Sequence, residues 1–100
     1  MTTALVTGGT GFVGSHVARA LVVRGYQARI LRRATSRLDA VQGIDCEHFI
    51  GDVTDPNSLR AAMQGVDWVF HVAAVADYWR SNPERIYHVN VDGTRNVLQI

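Results

Sequence analysis

Apolar and polar residues follow two rhythms along this chain, and the switches between them mark its elements. The run Ala4-Leu5-Val6 ends at once in glycines, and an apolar run bounded by turn residues predicts a buried strand. From Phe12 the spacing turns helical: Val13, Val17, Ala20, Leu21 and Arg24 recur at helical intervals, and Gly25 stands where a helix-ending glycine belongs. Residues 27–31 predict a second strand that runs into Arg32-Arg33, and the polar, irregular stretch 34–43 predicts a loop with one helical turn. Residues 46–50 predict a third strand, closed by Gly51-Asp52. Asp55-Pro56 is a helix start, with Asp as N-cap and Pro in the first helical position, and Gly65 is its stop. Residues 68–72 are nearly all apolar, as in a strand covered on both faces. Asn82-Pro83 repeats the start signal and opens a helix to the end of the chain, with Ile86, Val89, Asn90, Gly93 and Val97 on one face.

Strands alternating with helices at this spacing predict an α/β fold: a parallel sheet with right-handed crossovers. The order β-α-β-β-α-β-α matches a Rossmann-type doubly wound sheet whose switch point lies between strands 1 and 4. Residues 1–100 read as one domain, and no internal repeat or low-complexity tract interrupts it. The chain stops at Ile100 inside a periodic helix with no cap, so it reads as the N-terminal part of a longer fold. The remaining strands and a substrate domain are expected beyond.

Composition narrows the class. A 47% hydrophobic content is enough for a core, and a formal net charge of +1 argues against nucleic acid as a partner. All ten basic residues are arginines; the chain has no lysine. Cys46 is the only cysteine, which rules out an intrachain disulfide and fits a reducing cytosol; it reads as a small buried thiol. The N-terminus has no signal-peptide pattern, and the longest apolar stretch, residues 66–76, is too short to span a bilayer and contains Asp67 and His71. The expectation is a cytoplasmic protein without membrane insertion.

The candidate chemistry sits in residues 7–14. Gly9, Gly11 and Gly14 satisfy GxGxxG, while Gly8, Gly11 and Gly14 satisfy TGxxGxxG after Thr7. One glycine makes the tight turn, one lets the backbone approach a pyrophosphate, and the last lets helix and strand pack closely. The anion would lie on the free N–H groups at the helix start, at Phe12 and Val13, where the helix dipole favours it. The strand before and the helix after supply the context that a lone glycine triplet lacks. A Walker-type loop is excluded because no Lys-Ser/Thr follows. A tight turn without a ligand is the competing reading.

An NAD-selective site places Asp or Glu about 20 residues after the glycines, to hold the ribose 2′-OH. Arg32 stands there, with Arg33 beside it, and a guanidinium pairs bidentately with a 2′-phosphate. The cofactor expected is therefore NADP, with NAD the alternative; arginines simply meeting solvent are the bland reading. Asp52 can accept from the adenine amino group with Val53 on the ring, or serve as a loop cap. Ala73 and Ala74, at the end of the fourth strand, leave room for the ribose and nicotinamide. His71, inside an apolar strand, reads as structural. Asn90 and Gly93 on the buried face of the last helix imply close approach to the sheet, with Asn90 either an orienting residue or a packing one. Tyr78, Trp79 and Arg80 either line a substrate pocket or pack on the domain.

The stretch 7–14 together with Gly51-Asp52-Val53, His71-Val72-Ala73-Ala74 and Val89-Asn90-Val91-Asp92-Gly93-Thr94 resembles the extended short-chain dehydrogenase/reductase (NAD-dependent epimerase/dehydratase) family over the whole chain. Arg32-Arg33 and Tyr78-Trp79 look most like the branch of dihydroflavonol reductases and hopanoid-associated sugar epimerases, and DYWRSNPERIYHVNVDGTRN is more similar to the latter. The resemblance implies an NAD(P)-dependent reductase or epimerase acting on a small-molecule substrate by hydride transfer, with a dinucleotide sensor as the alternative. It also implies a possible homodimer, because family dimers commonly pair through helices that include the last one here. The family's catalytic Ser and Tyr-x-x-x-Lys pair are not matched: Tyr26, Tyr78 and Tyr87 are followed four residues later by Ile30, Asn82 and Val91. No catalytic residue and no metal ligand is therefore expected within residues 1–100.

Overall fold

The computed structural model describes residues 2–72, 84 and 88–99. Four strands, β1 (Thr3–Thr7), β2 (Gln27–Arg32), β3 (Glu47–Ile50) and β4 (Trp68–His71), pair in parallel in the order β3-β2-β1-β4. Helix α1 (Phe12–Val23) joins β1 to β2, and a 3-10 turn at Asp39–Val41 lies between β2 and β3. Helix α2 (Pro56–Met63) joins β3 to β4, and a π-helical segment, His88–Gly93, leads into α3 (Thr94–Gln99). The sheet grows from β1 toward β2 and then, on the other side, toward β4. The predicted switch point is therefore real, and it lies at the carboxyl ends of β1 and β4.

The core explains why β1 is the fixed point. Its residues are all buried, and they alternate between two clusters. Ala4 and Val6 pack with Ala18 and Leu21 of α1, while Leu5 packs with Leu59 and Ala62 of α2 and Val97 of α3. Helices thus cover both faces, and each fully buried side chain of leucine size contributes about 1.5–3 kcal/mol relative to exposure.

Local signals end the helices as predicted. The N–H of Gly25 donates to the Val22 carbonyl at 3.0 Å and that of Tyr26 to Leu21 at 3.0 Å, a Schellman close. Asp55 caps α2 by accepting from the Asn57 N–H at 3.2 Å, with Pro56 at the first position. Strand ends shift where a backbone group is spent elsewhere. The Cys46 N–H bonds to Ile44, so β3 begins at Glu47 instead of Cys46. The Val72 N–H bonds to the Thr7 hydroxyl, so β4 ends at His71 instead of Val72. The Cys46 thiol is half-buried against the α1-side core, and burial, then the Asp45 carboxylate, pushes its pKa up.

Among the described residues β4 is the outer strand beyond β1, and Trp68, Val69 and Phe70 are 46%, 41% and 36% exposed. One expectation changes. The final helix predicted one regular period, yet it is π-helical over His88–Gly93. The Thr94 hydroxyl donates to the Asn90 carbonyl at 2.6 Å, and such a side-chain bond competes with the regular helical ladder. No helix among the described residues is long and apolar enough to cross a membrane.

Arg29 is the long-range tie that local pattern does not announce. From the α2 face of β2 it donates to the carbonyls of Ala62 at 3.1 Å and Gln64 at 2.6 Å, and its guanidinium lies 5.1 Å from the Phe49 ring centre. It thereby satisfies carbonyls at the end of α2. Arg29→Met keeps the stem and loses both bonds, so equilibrium urea unfolding should show a loss of about 1.5–3 kcal/mol. A loss below about 0.5 kcal/mol would contradict this role.

Candidate dinucleotide-binding site

The glycine turn leaves β1 after Thr7. Gly8 has φ +68°, a backbone conformation that side chains with a Cβ resist. The Gly11 N–H returns to the Gly8 carbonyl at 3.1 Å, and Gly11 is the N-cap of α1 without any side-chain cap. The N–H groups of Phe12, Val13 and Gly14 therefore start the helix without intrahelical acceptors. Gly14 sits so close to the turn that a Cβ there would lie 2.0 Å from the Gly8 carbonyl oxygen. At Gly11 a Cβ would meet, among the described residues, only that oxygen, at 3.4 Å, so this flank is open toward them. Gly8, Gly11 and Gly14 thus show three separate features: a left-handed turn, an open flank and a close approach of the helix to the turn. Gly9, outside that triplet, is buried against Ile30, where a Cβ would lie 2.5 Å from the Ile30 Cβ. Phe12 and Val13 are 79% and 57% exposed, so they offer the site backbone groups and an open apolar rim.

Arg32 ends β2 on the same face as Ile30, the face on which the glycine turn packs. Its Nε donates to His48 Nδ1 at 3.0 Å, and its Nη1 donates to the Arg33 carbonyl at 3.3 Å. His48, on the neighbouring strand, thereby anchors the inner edge of the guanidinium. No local pattern in the sequence marks His48, because only register places it beside Arg32. Arg33 is exposed, and its N–H donates to the Ser36 hydroxyl at 3.0 Å within a tight turn.

Asp52 Oδ1 accepts from the Thr54 N–H at 3.0 Å and the Thr54 hydroxyl at 2.9 Å, so this oxygen caps the loop after β3. Val53 is 4% exposed and belongs to the α2-side core, where Gly93 presses on it: a Cβ at Gly93 would lie 2.6 Å from Val53 Cγ2. Its carbonyl accepts from Asn96 Nδ2 at 2.9 Å, a tie that local sequence does not mark either. Asn90 is half-buried in the π-helical segment. Ala73, Ala74, Tyr78, Trp79 and Arg80 lie outside the described residues, as do Asn82-Pro83 and Ile86.

His71 has the partners that a single sequence could not supply. Its Nδ1 lies 2.8 Å from the Thr7 hydroxyl and its Nε2 lies 2.9 Å from the Thr94 hydroxyl. Burial lowers its pKa from the ordinary 6.5. Among the described residues no group of His, Cys, Asp and Glu side chains is arranged to hold a metal ion.

A doubly wound parallel sheet with an uncapped glycine turn at its switch point is a Rossmann-type domain. The chain belongs to the 3-beta hydroxysteroid dehydrogenase/isomerase family, whose model matches residues 5–100. A Synechocystis protein provisionally named dihydroflavonol 4-reductase is 47% identical over 93 residues, covering 93% of this chain and 27% of that protein. The chain therefore spans little more than a quarter of that relative. The crystal structure of gox2253 is 44% identical with a TM-score of 0.89, covering 99% of this chain and 30% of that one. The UDP-glucose 4-epimerase of Thermus thermophilus, solved with NAD, is 32% identical with a TM-score of 0.86, covering 98% of this chain and 33% of that one.

Proposed function

We propose that the full-length protein is an NADP-dependent oxidoreductase or sugar epimerase acting on a carbonyl or hydroxyl carbon of a small molecule. This chain would form its cofactor-binding half. The observation that carries the reading is the glycine turn: a left-handed Gly8, a Gly14 with no room for a side chain, and an uncapped helix start at the end of β1. A pyrophosphate would lie on those N–H groups, because Gly11 brings no side-chain cap to them. The family match and a similar structure solved with NAD support the cofactor class.

In this reading Phe12, Val13 and Gly14 hold the pyrophosphate through their N–H groups, and Arg32 and Arg33 pair with the 2′-phosphate. Asp52 takes the adenine amino group with its Oδ2, because Oδ1 is committed to Thr54. The Val53 side chain is committed to the core, so it contributes a backbone edge. Ala73 and Ala74 would leave room for the ribose and nicotinamide, and Asn90 would be an orienting residue. The bound nicotinamide would accept or donate the hydride. Proton transfer would fall to a Tyr-x-x-x-Lys pair outside these 100 residues, which contain no lysine.

The test is nicotinamide fluorescence titration of the full-length protein with NADPH and NADH, followed by turnover against 3-ketosteroids, dihydroflavonols and UDP-hexoses. Binding in the range of about 1 μM to 1 mM and turnover of one substrate class are expected. Failure to bind either dinucleotide would sink the proposal.

A further inference from the structure

One side chain outside the glycine turn, His71, links the elements that surround it, and its partners fix the directions of its hydrogen bonds. The Thr94 hydroxyl lies 2.6 Å from the Asn90 carbonyl, which can only accept, so its hydrogen goes there. Its oxygen is then the acceptor for His71 Nε2–H at 2.9 Å. A neutral ring protonated at Nε2 has a bare Nδ1, so the Thr7 hydroxyl donates to Nδ1 at 2.8 Å. The Thr7 oxygen in turn accepts the Val72 N–H at 2.9 Å. The result is a one-way relay from Val72 through Thr7 to His71, and from His71 through Thr94 to Asn90. A ring protonated only at Nδ1 would face Thr94 with an acceptor and leave that hydroxyl's single hydrogen claimed by two groups.

We propose that His71, held as the neutral Nε2–H tautomer, is a positioning residue for the cofactor, locking the ends of β1 and β4 to the π-helical segment that carries Asn90. This rests on the cofactor-binding reading above. The relay reaches Thr7, the last residue before the glycine turn, so the turn's departure from the sheet is tied to the far helix. A second ring proton would face the Thr7 hydroxyl hydrogen and oblige that hydroxyl to rotate away. Among the described residues, the groups bonded to the ring are hydroxyls: Thr7 from β1 and Thr94 from α3. β1 carries no ionisable side chain, and His71 is the ionisable residue of β4. On the π-helical segment and α3, Asp92 pairs with His88 at 3.0 Å and with Arg95 at 3.6 Å. No carboxylate among the described residues bonds to the ring to favour a second proton.

Burial lowers the His71 pKa, so the folded state takes up this proton less readily than the unfolded chain. The relay's contribution is therefore complete above about 6.5 and is lost as pH falls from there toward the folded-state value.

The experiment uses the full-length protein and has readouts with and without cofactor. Long-range nitrogen–proton correlation spectra of the His71 ring above about pH 7 should show a proton on Nε2 and none on Nδ1. Thr94→Val should weaken NADPH binding about tenfold, and Thr94→Ser should recover most of that loss. A ring found charged or protonated on Nδ1, or a Thr94→Val protein that binds NADPH as tightly as the unaltered one, overturns the positioning role while leaving the cofactor reading intact. If the unaltered protein binds neither NADPH nor NADH, both readings fall.

Discussion

Replacing Gly14 by alanine should weaken dinucleotide binding by at least about 100-fold. The added Cβ would lie 2.0 Å from the Gly8 carbonyl oxygen, 2.7 Å from its carbonyl carbon and 3.0 Å from the Gly9 Cα. All three are backbone atoms, so no side chain can swing aside. Opening the first contact even to 3.0 Å requires a shift of about 1 Å between α1 and the turn. The N–H groups at the helix start work over hydrogen-bond distances of about 2.7–3.2 Å, and a displacement of that size takes them out of reach. Gly11→Ala is the informative comparison. Among the described residues a Cβ there meets only the Gly8 oxygen, at 3.4 Å, so the fold should keep its thermal midpoint while the methyl group occupies the ligand's approach. Fluorescence titration with NADPH and thermal unfolding followed by circular dichroism separate the two effects. Unaltered affinity in Gly14→Ala would refute the geometry assigned to the turn.

Arg32→Asp should invert cofactor preference. In the unaltered protein, NADPH is expected to bind more tightly than NADH. The variant should lose about 10–100-fold in NADPH affinity and hold or improve its affinity for NADH. Charge-assisted bonds of this kind contribute about 1.5–3 kcal/mol, and each 1.4 kcal/mol is about tenfold. The new carboxylate would repel a 2′-phosphate and accept from a 2′-OH. His48 holds Arg32 Nε at 3.0 Å and the Arg33 carbonyl takes Nη1, so among the described residues Nη2 makes no bond and can meet a phosphate oxygen. Arg32→Lys is the control for charge alone: it keeps the cation but not the anchored fork, and should fall between the two. Parallel titrations with both dinucleotides decide the matter. Equal affinities in the unaltered protein, or a variant with unchanged preference, would show that the arginine pair faces solvent without a role.

The sequence by itself determined the features that local chemistry controls. The glycine turn, the Asp55-Pro56 start, the Gly25 stop and the α/β alternation all depend on backbone conformation within a few residues, and the sheet bears each of them out. Both overlapping glycine patterns, through Gly8 and through Gly9, announce the turn, because a turn's φ and a helix start are local properties.

Tertiary structure decided everything that depends on which residues meet across the sheet. His71 had no visible partner until register set it beside Thr7 and the last helix brought Thr94 to its other nitrogen. Arg29 found the end of α2, His48 found Arg32, and Asn96 found the Val53 carbonyl, across separations that no local pattern encodes. Val53 went into the core because Gly93 left it room. A side chain's type says what bonds it can make; only the packed fold settles which of them it makes.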